Sequence, residues 1–355
     1  MLLSYDQEKK LVKTMFAAYG MPENEAEITA DVVTHSDFTG VYSHGISRLT
    51  VYLMQLASKA MNPRPNIVKT RENETSVSYD CDNGHGIVAV NMAYDEILPK
   101  ARKYGIAIAT GRHSANIGCG HYYGARAARD GVIIMLCCNT YRFMAPFGGS
   151  EKLLGTNPII VGVPTGSEPP LILDMSTSLV AMGKVQDAMR ERRPVPAEWG
   201  LDRDGKPTTE ANKIYTLRPV GGYKGYGLAV MVDMFAGALA GASLQNEIGD
   251  VYKMQPEDTG FSLIMIDPSV FMPIEEFTAR TDEYCRVMKS SKKAEGAEEI
   301  FLPGEIECRK YQSFMASGFE LTAAQGREMV GLAARVGLCQ TGEPFDEFME
   351  RVLKN

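Results

Sequence analysis

The run Val132-Ile-Ile-Met-Leu-Cys-Cys138 carries no polar residue at any alternate position. A strand with one wet face alternates apolar with polar, so this one reads as a strand covered on both faces. Cover on both faces comes most readily from helices, which makes the chain α/β. Other short β-rich runs, separated by Gly, Pro and Asn, repeat the theme from residue 76 onward: Gly105 to Thr110, Ile159 to Val163 and Leu171 to Leu173. A helix is expected around 122–129. Together they predict a mostly covered sheet.

The first sixty residues read as helices. Ser4 and Gln7 form a capping box ahead of Leu11, Val12, Met15 and Phe16 at helical spacing, and Gly20 ends that helix. A second runs from about Pro22 to Asp37 and is broken at Gly40. A third is expected to start near Ser43, with Leu49, Leu53 and Leu56 on one stripe and His44, Arg48 and Tyr52 on a neighbouring face. Residues 194–222 are rich in Pro, Gly and charge and read as a long surface loop before an apolar helix from Tyr226 to Ala242. Lys289 to Glu299 reads as a solvated loop, and helices over 323–336 and 344–353 close the chain. The expected division is a helical domain of 1–75 with 310–355 and an α/β cofactor- and substrate-binding region over 76–309. No internal repeat is visible.

With 37 basic against 44 acidic residues, the formal charge of -7 leaves no excess for a nucleic-acid backbone or an anionic membrane. No run approaches a membrane span, and the N-terminus has no basic stretch ahead of an apolar one. A soluble cytoplasmic protein that acts on a small molecule is expected. The 7 cysteines are odd in number and contain no CxxC pair, so a reduced, mostly buried set is expected.

Four constellations could carry chemistry. His44 and Arg48, four apart, would put a proton donor beside an anion clamp suited to a 2-oxo acid; spacing alone is better described as a helix-start His with an exposed Arg. Gly118-Cys-Gly120-His-Tyr-Tyr-Gly124 looks like a phosphate-cradling turn, but its spacing is not the Rossmann fingerprint, and close packing explains its glycines better. Asp174-Met-Ser-Thr-Ser178, at a strand's carboxyl end, could meet ribose hydroxyls or cap a helix. Gly221-Gly-Tyr-Lys224-Gly225-Tyr-Gly227 joins flexible backbone, a lysine and a helix start, which favours a pyrophosphate over packing alone. The 5 histidines form no metal-ligand pair on a helix and no GxSxG elbow is present, so no metal is expected.

In order along the chain, Ser43-His44-Gly45-Ile-Ser-Arg48-Leu49, Asp82-Asn-Gly84-His-Gly86, Ala145-Pro-Phe-Gly-Gly149, Gly155-Thr156-Asn-Pro158, Asp174-Met-Ser176-Thr-Ser178 with Gly183-Lys184, Lys224-Gly-Tyr-Gly-Leu228 and Pro303-Gly304-Glu305 resemble one family. It is that of the malate/L-lactate dehydrogenases of the second type, with ureidoglycolate and sulfolactate dehydrogenases and diketogulonate and piperideine-carboxylate reductases among its members. The resemblance implies a non-Rossmann oxidoreductase on a large mixed sheet of the sulfolactate dehydrogenase-like type, with N- and C-terminal helices packed together. It implies NAD or NADP as cofactor, a small anionic 2-hydroxy/2-oxo acid as substrate, and a homodimer or higher homo-oligomer. It also implies His44 as the proton donor and acceptor, with Ser43 and Arg48 on the substrate. Tyr52 and Thr156 are counted with these substrate contacts. Asp174, Ser176, Lys224, Gly225, Gly304 and Glu305 would lie along the cofactor.

One departure matters. Where many members carry a histidine, the segment His113-Ser-Ala-Asn116-Ile-Gly-Cys-Gly-His121 has Asn116, which cannot titrate but can donate a hydrogen bond. Either His44 alone moves the proton, or His121 swings in from the same loop, or the reaction has changed. The last option means a nicotinamide-dependent lyase, epimerase or hydrolase, or a non-catalytic cofactor-binding homologue. Arg142, in the loop that follows, is a further cation that could read a second anionic group on the substrate.

Overall fold

A computed structural model describes residues 1–354. Its centre is a seven-stranded sheet of β1 (Val68–Glu72), β2 (Ser76–Gly84), β3 (Ile106–Ser114), β4 (Ile133–Cys138), β5 (Ile159–Val163), β6 (Leu171–Met175) and β7 (Thr259–Ile266). The spatial order is β1-β2-β3-β7-β4-β5-β6. Only β2 and β3 run parallel; every other neighbouring pair is antiparallel. The sheet is therefore mixed, as expected, and is not a doubly wound Rossmann sheet.

Among the described residues eleven α-helices surround it: α1 (Tyr5–Ala18), α2 (Glu23–Phe38), α3 (Leu49–Ala57), α4 (Gly86–Tyr104), α5 (Gly120–Arg129), α6 (Met182–Glu191), α7 (Tyr223–Val232), α8 (Ile274–Ser290), α9 (Glu305–Ser317), α10 (Ala323–Arg335) and α11 (Phe345–Lys354). The capping box at Ser4 and Gln7 is formed. Helix α4 is the crossover that the parallel β2–β3 pair requires. None of the described helices is long and apolar enough to cross a membrane.

The expected cover of β4 on both faces holds on one face only. Ile134, Leu136 and Cys138 are buried in a core with residues of α4 and α5, such as Tyr94 and Tyr123. On the opposite face Cys137 packs under Val232 and Ala236, but Met135 stays 38% exposed. The glycines that open and line α5 serve packing. A Cβ on Gly120 would stand 2.2 Å from Ile160 Cγ1, and one on Gly162 of β5 would stand 2.6 Å from Gly124 Cα. Helix α5 thus lies directly on β5 and β6.

The chain's two ends share one core. Leu11, Met15, Phe16, Val32 and Leu53 pack with Met329, Phe348 and Val352, and Leu2–Leu3 pairs antiparallel with Phe319–Glu320. The stretch expected as a loop over 194–222 is more ordered than its composition suggests. Gly200–Leu201 and Thr216–Leu217 join Arg142–Met144 and Leu154–Gly155 in a second, four-stranded sheet, and Leu217 is fully buried beside Met144. Short strands of this kind draw their stability from tertiary contacts, which a turn-rich composition does not reveal. All seven cysteines are free and five are buried.

Helix α2 meets α5 through two stacked, buried imidazoles, with His35 Nε2 3.0 Å from His121 Nδ1. Burial drives the His121 pKa down to about 4 and that of the equally buried His85 down to about 3; His35 is lowered as well, by burial and by its neighbour His121. These folded pKa values lie below the unfolded one, so the unfolded chain binds more protons as pH falls through 6.5. We expect His121 and His85 each to cost about 2 kcal/mol of stability on going from pH 7 to pH 5. Urea unfolding at the two pH values measures the loss, and equal midpoints would contradict it.

Candidate active site

Helix α2 ends at Phe38, and its last turn fastens the segment that follows. Val41 N–H donates to the Ser36 carbonyl at 2.8 Å, and the Ser36 hydroxyl donates to the Val41 carbonyl at 3.0 Å. Asp37 Oδ2 accepts from the Ile46 N–H at 2.6 Å. Gly45 lies flat on the Asp37 carboxylate, since a Cβ there would sit 2.1 Å from Oδ1. The third helix therefore does not start at Ser43. Two 3-10 turns, Tyr42–His44 and Ile46–Arg48, flank Gly45, whose extended backbone interrupts the helix before α3 begins at Leu49. The expected single helical face for His44 and Arg48 is replaced by a tight double turn that still brings them together.

His44 Nδ1 is 2.9 Å from the Ser43 hydroxyl. Desolvation, and then the Arg48 charge beside it, push the imidazole down to about 4, so it is neutral at pH 7. Ser43 faces the start of α6, 3.5 Å from where a Cβ of Gly183 would stand. Arg48 lies 5.9 Å from the centre of the Tyr52 ring, and the Tyr252 hydroxyl and the Glu257 carboxyl lie near its charge. The Tyr252 hydroxyl accepts from Gln186 Nε2 at 2.8 Å, which ties α6 to this cation.

Tyr52 is fully buried and donates to Asn116 Oδ1 at 2.7 Å; the same oxygen accepts the Gly118 N–H at 2.8 Å. With Oδ1 used twice as an acceptor, the Asn116 amide keeps its N–H groups as its remaining hydrogen-bonding capacity, as donors. Behind it the buried Glu257 accepts from Gln55 Nε2 at 2.9 Å, and burial raises its pKa. Tyr252, Glu257, Gln55 and Gln186 escaped the sequence reading. About two hundred residues separate the first two from Arg48, and no local spacing marks them.

A second group gathers around β6. Thr177 donates its N–H and hydroxyl to the Thr156 carbonyl at 2.8 and 3.0 Å, and Val220 N–H donates to the Thr177 carbonyl at 2.9 Å. This brings Thr156, Ser176 and the Gly221–Gly225 turn to one place. Gly225 is obligatory, because a Cβ there would meet the Val220 carbonyl oxygen at 2.2 Å. At the start of α7 the N–H groups of Tyr223 and Lys224 find no acceptor among the described residues, and the exposed Lys224 ammonium forms no ion pair among them. Asp174 accepts the His121 N–H at 2.9 Å and so fixes the start of α5.

Gly304, at φ +84, is pressed against Ile172, whose N–H donates to the Pro303 carbonyl at 3.0 Å. Glu305 takes Lys289, Arg309 and the Leu302 N–H on its carboxylate, so its charge is already matched by its own loop. Lys289, expected in a solvated loop, sits on α8 and holds that loop.

Two further expected site residues have partners of their own. His121 points into the α2–α5 packing against His35, with Cys308 Sγ 4.0 Å from its Nε2. Arg142 lies 5.3 Å from the centre of the Tyr141 ring and donates to the Gln245 carbonyl at 3.4 Å. Among the described residues no group of three or more His, Cys, Asp or Glu is arranged to hold a metal ion.

Comparison with known proteins accords with this arrangement. The family model described as malate/L-lactate dehydrogenase matches residues 3–330. The L-sulfolactate dehydrogenase of Methanocaldococcus jannaschii is 36% identical over 341 residues, covering 95% of this chain and 98% of that protein. A solved sulfolactate dehydrogenase structure from that organism superposes with a TM-score of 0.88 at 35% identity, covering 95% of this chain and 98% of that one. The malate dehydrogenase of Pyrococcus horikoshii is 33% identical, covering 90% of this chain and 91% of that protein. The NAD(+) ureidoglycolate dehydrogenase of Escherichia coli K12 is 28% identical, covering 97% of this chain and 99% of that protein. A mixed sheet of this topology, a His–Arg turn beside it and a match over nearly the whole length place the chain in the malate/L-lactate dehydrogenase family of oxidoreductases.

Proposed function

We propose that the protein interconverts a small 2-hydroxy acid and its 2-oxo acid with NAD or NADP. The observation that carries this reading is one tight turn that holds a neutral imidazole next to a guanidinium. The relatives named for sulfolactate, malate and ureidoglycolate support the substrate class. A bound nicotinamide cofactor would supply or accept the hydride. The free N–H groups and unpaired ammonium at the start of α7, and the close backbone turn at Gly225, suit its phosphates. In this reading Thr156, Ser176 and Asp174 flank that cradle, and Gly304 and Glu305 order its far edge.

Arg48 clamps the substrate carboxylate, with Ser43 and Tyr52 beside it. His44, neutral in the free protein, takes the hydroxyl proton in oxidation and returns one in reduction. A carboxylate bound on Arg48 offsets the charge that depresses His44, which moves the imidazole toward the pKa that proton transfer needs. Asn116 donates a hydrogen bond to the substrate oxygen. Arg142 serves a second anionic substituent. We also propose that the chain works in the cytoplasm, where its free cysteines stay reduced, as a homodimer or larger assembly. Leu228, Met231 and Leu239, 43%, 52% and 59% exposed on and just beyond α7, support the assembly.

One observation favours a second reading: Asn116 cannot titrate, which fits a lyase or epimerase that uses the nicotinamide only transiently. Net change in reduced-nicotinamide absorbance with a panel of 2-oxo acids separates the two.

Three substitutions test the roles. Arg48→Lys keeps the charge and loses the fork, and should cost about 2 to 4 kcal/mol of transition-state binding, read as kcat/KM; parental kinetics would remove the clamp. Lys224→Ala should weaken cofactor binding about tenfold or more with the melting temperature unchanged, and an unaltered titration would reassign the phosphate site. His44→Ala should lower turnover by roughly 10² to 10⁴, whereas His121→Ala should cost much less. The opposite ranking would hand the proton to His121.

A further inference from the structure

Beneath the His44 turn two acidic side chains meet in the dry core. Glu8 of α1 and Asp37 of α2 are both fully buried. Asp37 Oδ2 holds the Ile46 N–H, but Asp37 Oδ1 and both Glu8 oxygens have no other hydrogen-bond donor. No cation pairs with either carboxyl among the described residues. The two carboxyls are within hydrogen-bonding reach of each other. Two bare carboxylates at that distance in a low-dielectric core would repel strongly, and a lone buried charge already costs several kcal/mol. One proton between them resolves both problems.

We propose that Glu8 and Asp37 share a single proton as a carboxylic acid–carboxylate pair, and that the pair is the positioning device for the His44 turn. Asp37 is the ionised member, because it alone receives a backbone N–H; Glu8 is the acid and donates its O–H to Asp37. The carboxylate in turn grips Ile46 and lies under Gly45, so the residues on either side of His44 are fixed from below. Burial, and then the Asp37 charge, hold Glu8 well above the ordinary carboxylate range; burial raises Asp37 up to about 7, against the opposing pull of the Ile46 N–H and of the Glu8 acid. The pair titrates as a unit.

Other ionisable groups around the pair are accounted for. Tyr42 on the turn is itself raised by burial and by the Asp37 charge. The Lys310 ammonium of α9 stands 5.9 Å from the centre of the Tyr42 ring. Tyr5 of α1 commits its hydroxyl to Asp31 at 3.1 Å. His44 lies on the far side of Gly45 and is held down by burial and Arg48. None of these neutralises the second charge that would appear when the shared proton leaves.

The proposal rests on His44 as the proton-transfer residue, so its test includes a readout independent of turnover. Hydrogen–deuterium exchange over residues 41–48 is followed from pH 6 to pH 10 in the parent and in Glu8→Gln, with kcat measured alongside. An opening of the turn that releases one proton gains about tenfold per pH unit once the shared proton is labile. We expect the parent's protection factor, corrected for the intrinsic rate, to fall on that slope at alkaline pH, and kcat to fall with it. The carboxamide introduced by Glu8→Gln carries a permanent N–H donor, so this variant should keep its protection and lose the alkaline fall in kcat. Asp37→Ala, which removes the acceptor of the Ile46 N–H, should lose protection at every pH.

A parent profile flat in pH, or a Glu8→Gln profile identical to the parent's, overturns the shared proton. If Asp37→Ala does not melt cooperatively, the Glu8→Gln profile decides alone. Full activity of His44→Ala overturns the catalytic reading instead, and leaves the exchange result readable on its own.

Discussion

The whole architecture depends on β7. This strand lies between β3 and β4 and is hydrogen-bonded along nearly its full length to both, so it joins two three-stranded halves of the sheet. Phe261 at its start is completely buried and stacks on the bare backbone of Gly111, where a Cβ would stand 2.3 Å from the ring. Without β7 the strands on the β3 side have no ladder hydrogen bonds to those on the β4 side, and the halves would meet through side chains such as Tyr94 of α4, which donates to Asp130 at 2.6 Å. The strand comes late in the chain, after the small sheet and α7 have been made. Its pairing partners are more than a hundred residues upstream, so the sheet closes only when distant segments meet.

The candidate site inherits its geometry from that closure. Residues 251–258 lead into β7 and carry Tyr252 and Glu257 to the rear of Arg48 and Asn116. The His44 turn is fastened from the other side by the end of α2. The surroundings of Arg48, on an early turn, are thus completed by groups from late in the chain, and α6 adds Gln186 through Tyr252. The buried polar groups here are largely matched: Tyr52 with Asn116, Gln55 with Glu257, Asn157 with Asp233 at 2.9 Å. In a low-dielectric interior each such pair orients its members as firmly as packing does, which suits a site whose reaction depends on placement. Glu8 and Asp37 stand out against that background because three of their four buried carboxyl oxygens have no hydrogen-bond donor.

The Gly-rich segments divide into two kinds that look alike in one dimension. Gly118, Gly120 and Gly124 serve close contact with Val32, Ile87, Ile160 and Ile172. The glycines at 221 and 222 have positive φ and open the start of α7, where backbone N–H groups stay free. Only the second kind leaves room for an anion. The lysine beside it distinguished the two in the sequence, since a close-packed turn has no use for an unpaired charge.

The sequence by itself determined the α/β class, the capping box at Ser4, the positions of β5, α5 and the last two helices, and the coincidence of His44 with Arg48. These rest on local rules: apolar runs, helical stripes, caps and short motifs act over a few residues and leave their mark in one dimension. It also carried the motifs of the family to which the chain proved to belong. Tertiary structure alone decided that the third helix waits for Leu49, because the Asp37 carboxylate that forces Gly45 out of helical geometry approaches from α2. It decided that the Pro- and Gly-rich stretch 194–222 supplies strands to a second sheet, since those strands exist only against Arg142–Met144. It set His121 against His35. And it brought Tyr252 and Glu257 to Arg48 across about two hundred residues, a distance over which no periodicity carries information and only the closed sheet specifies the contact.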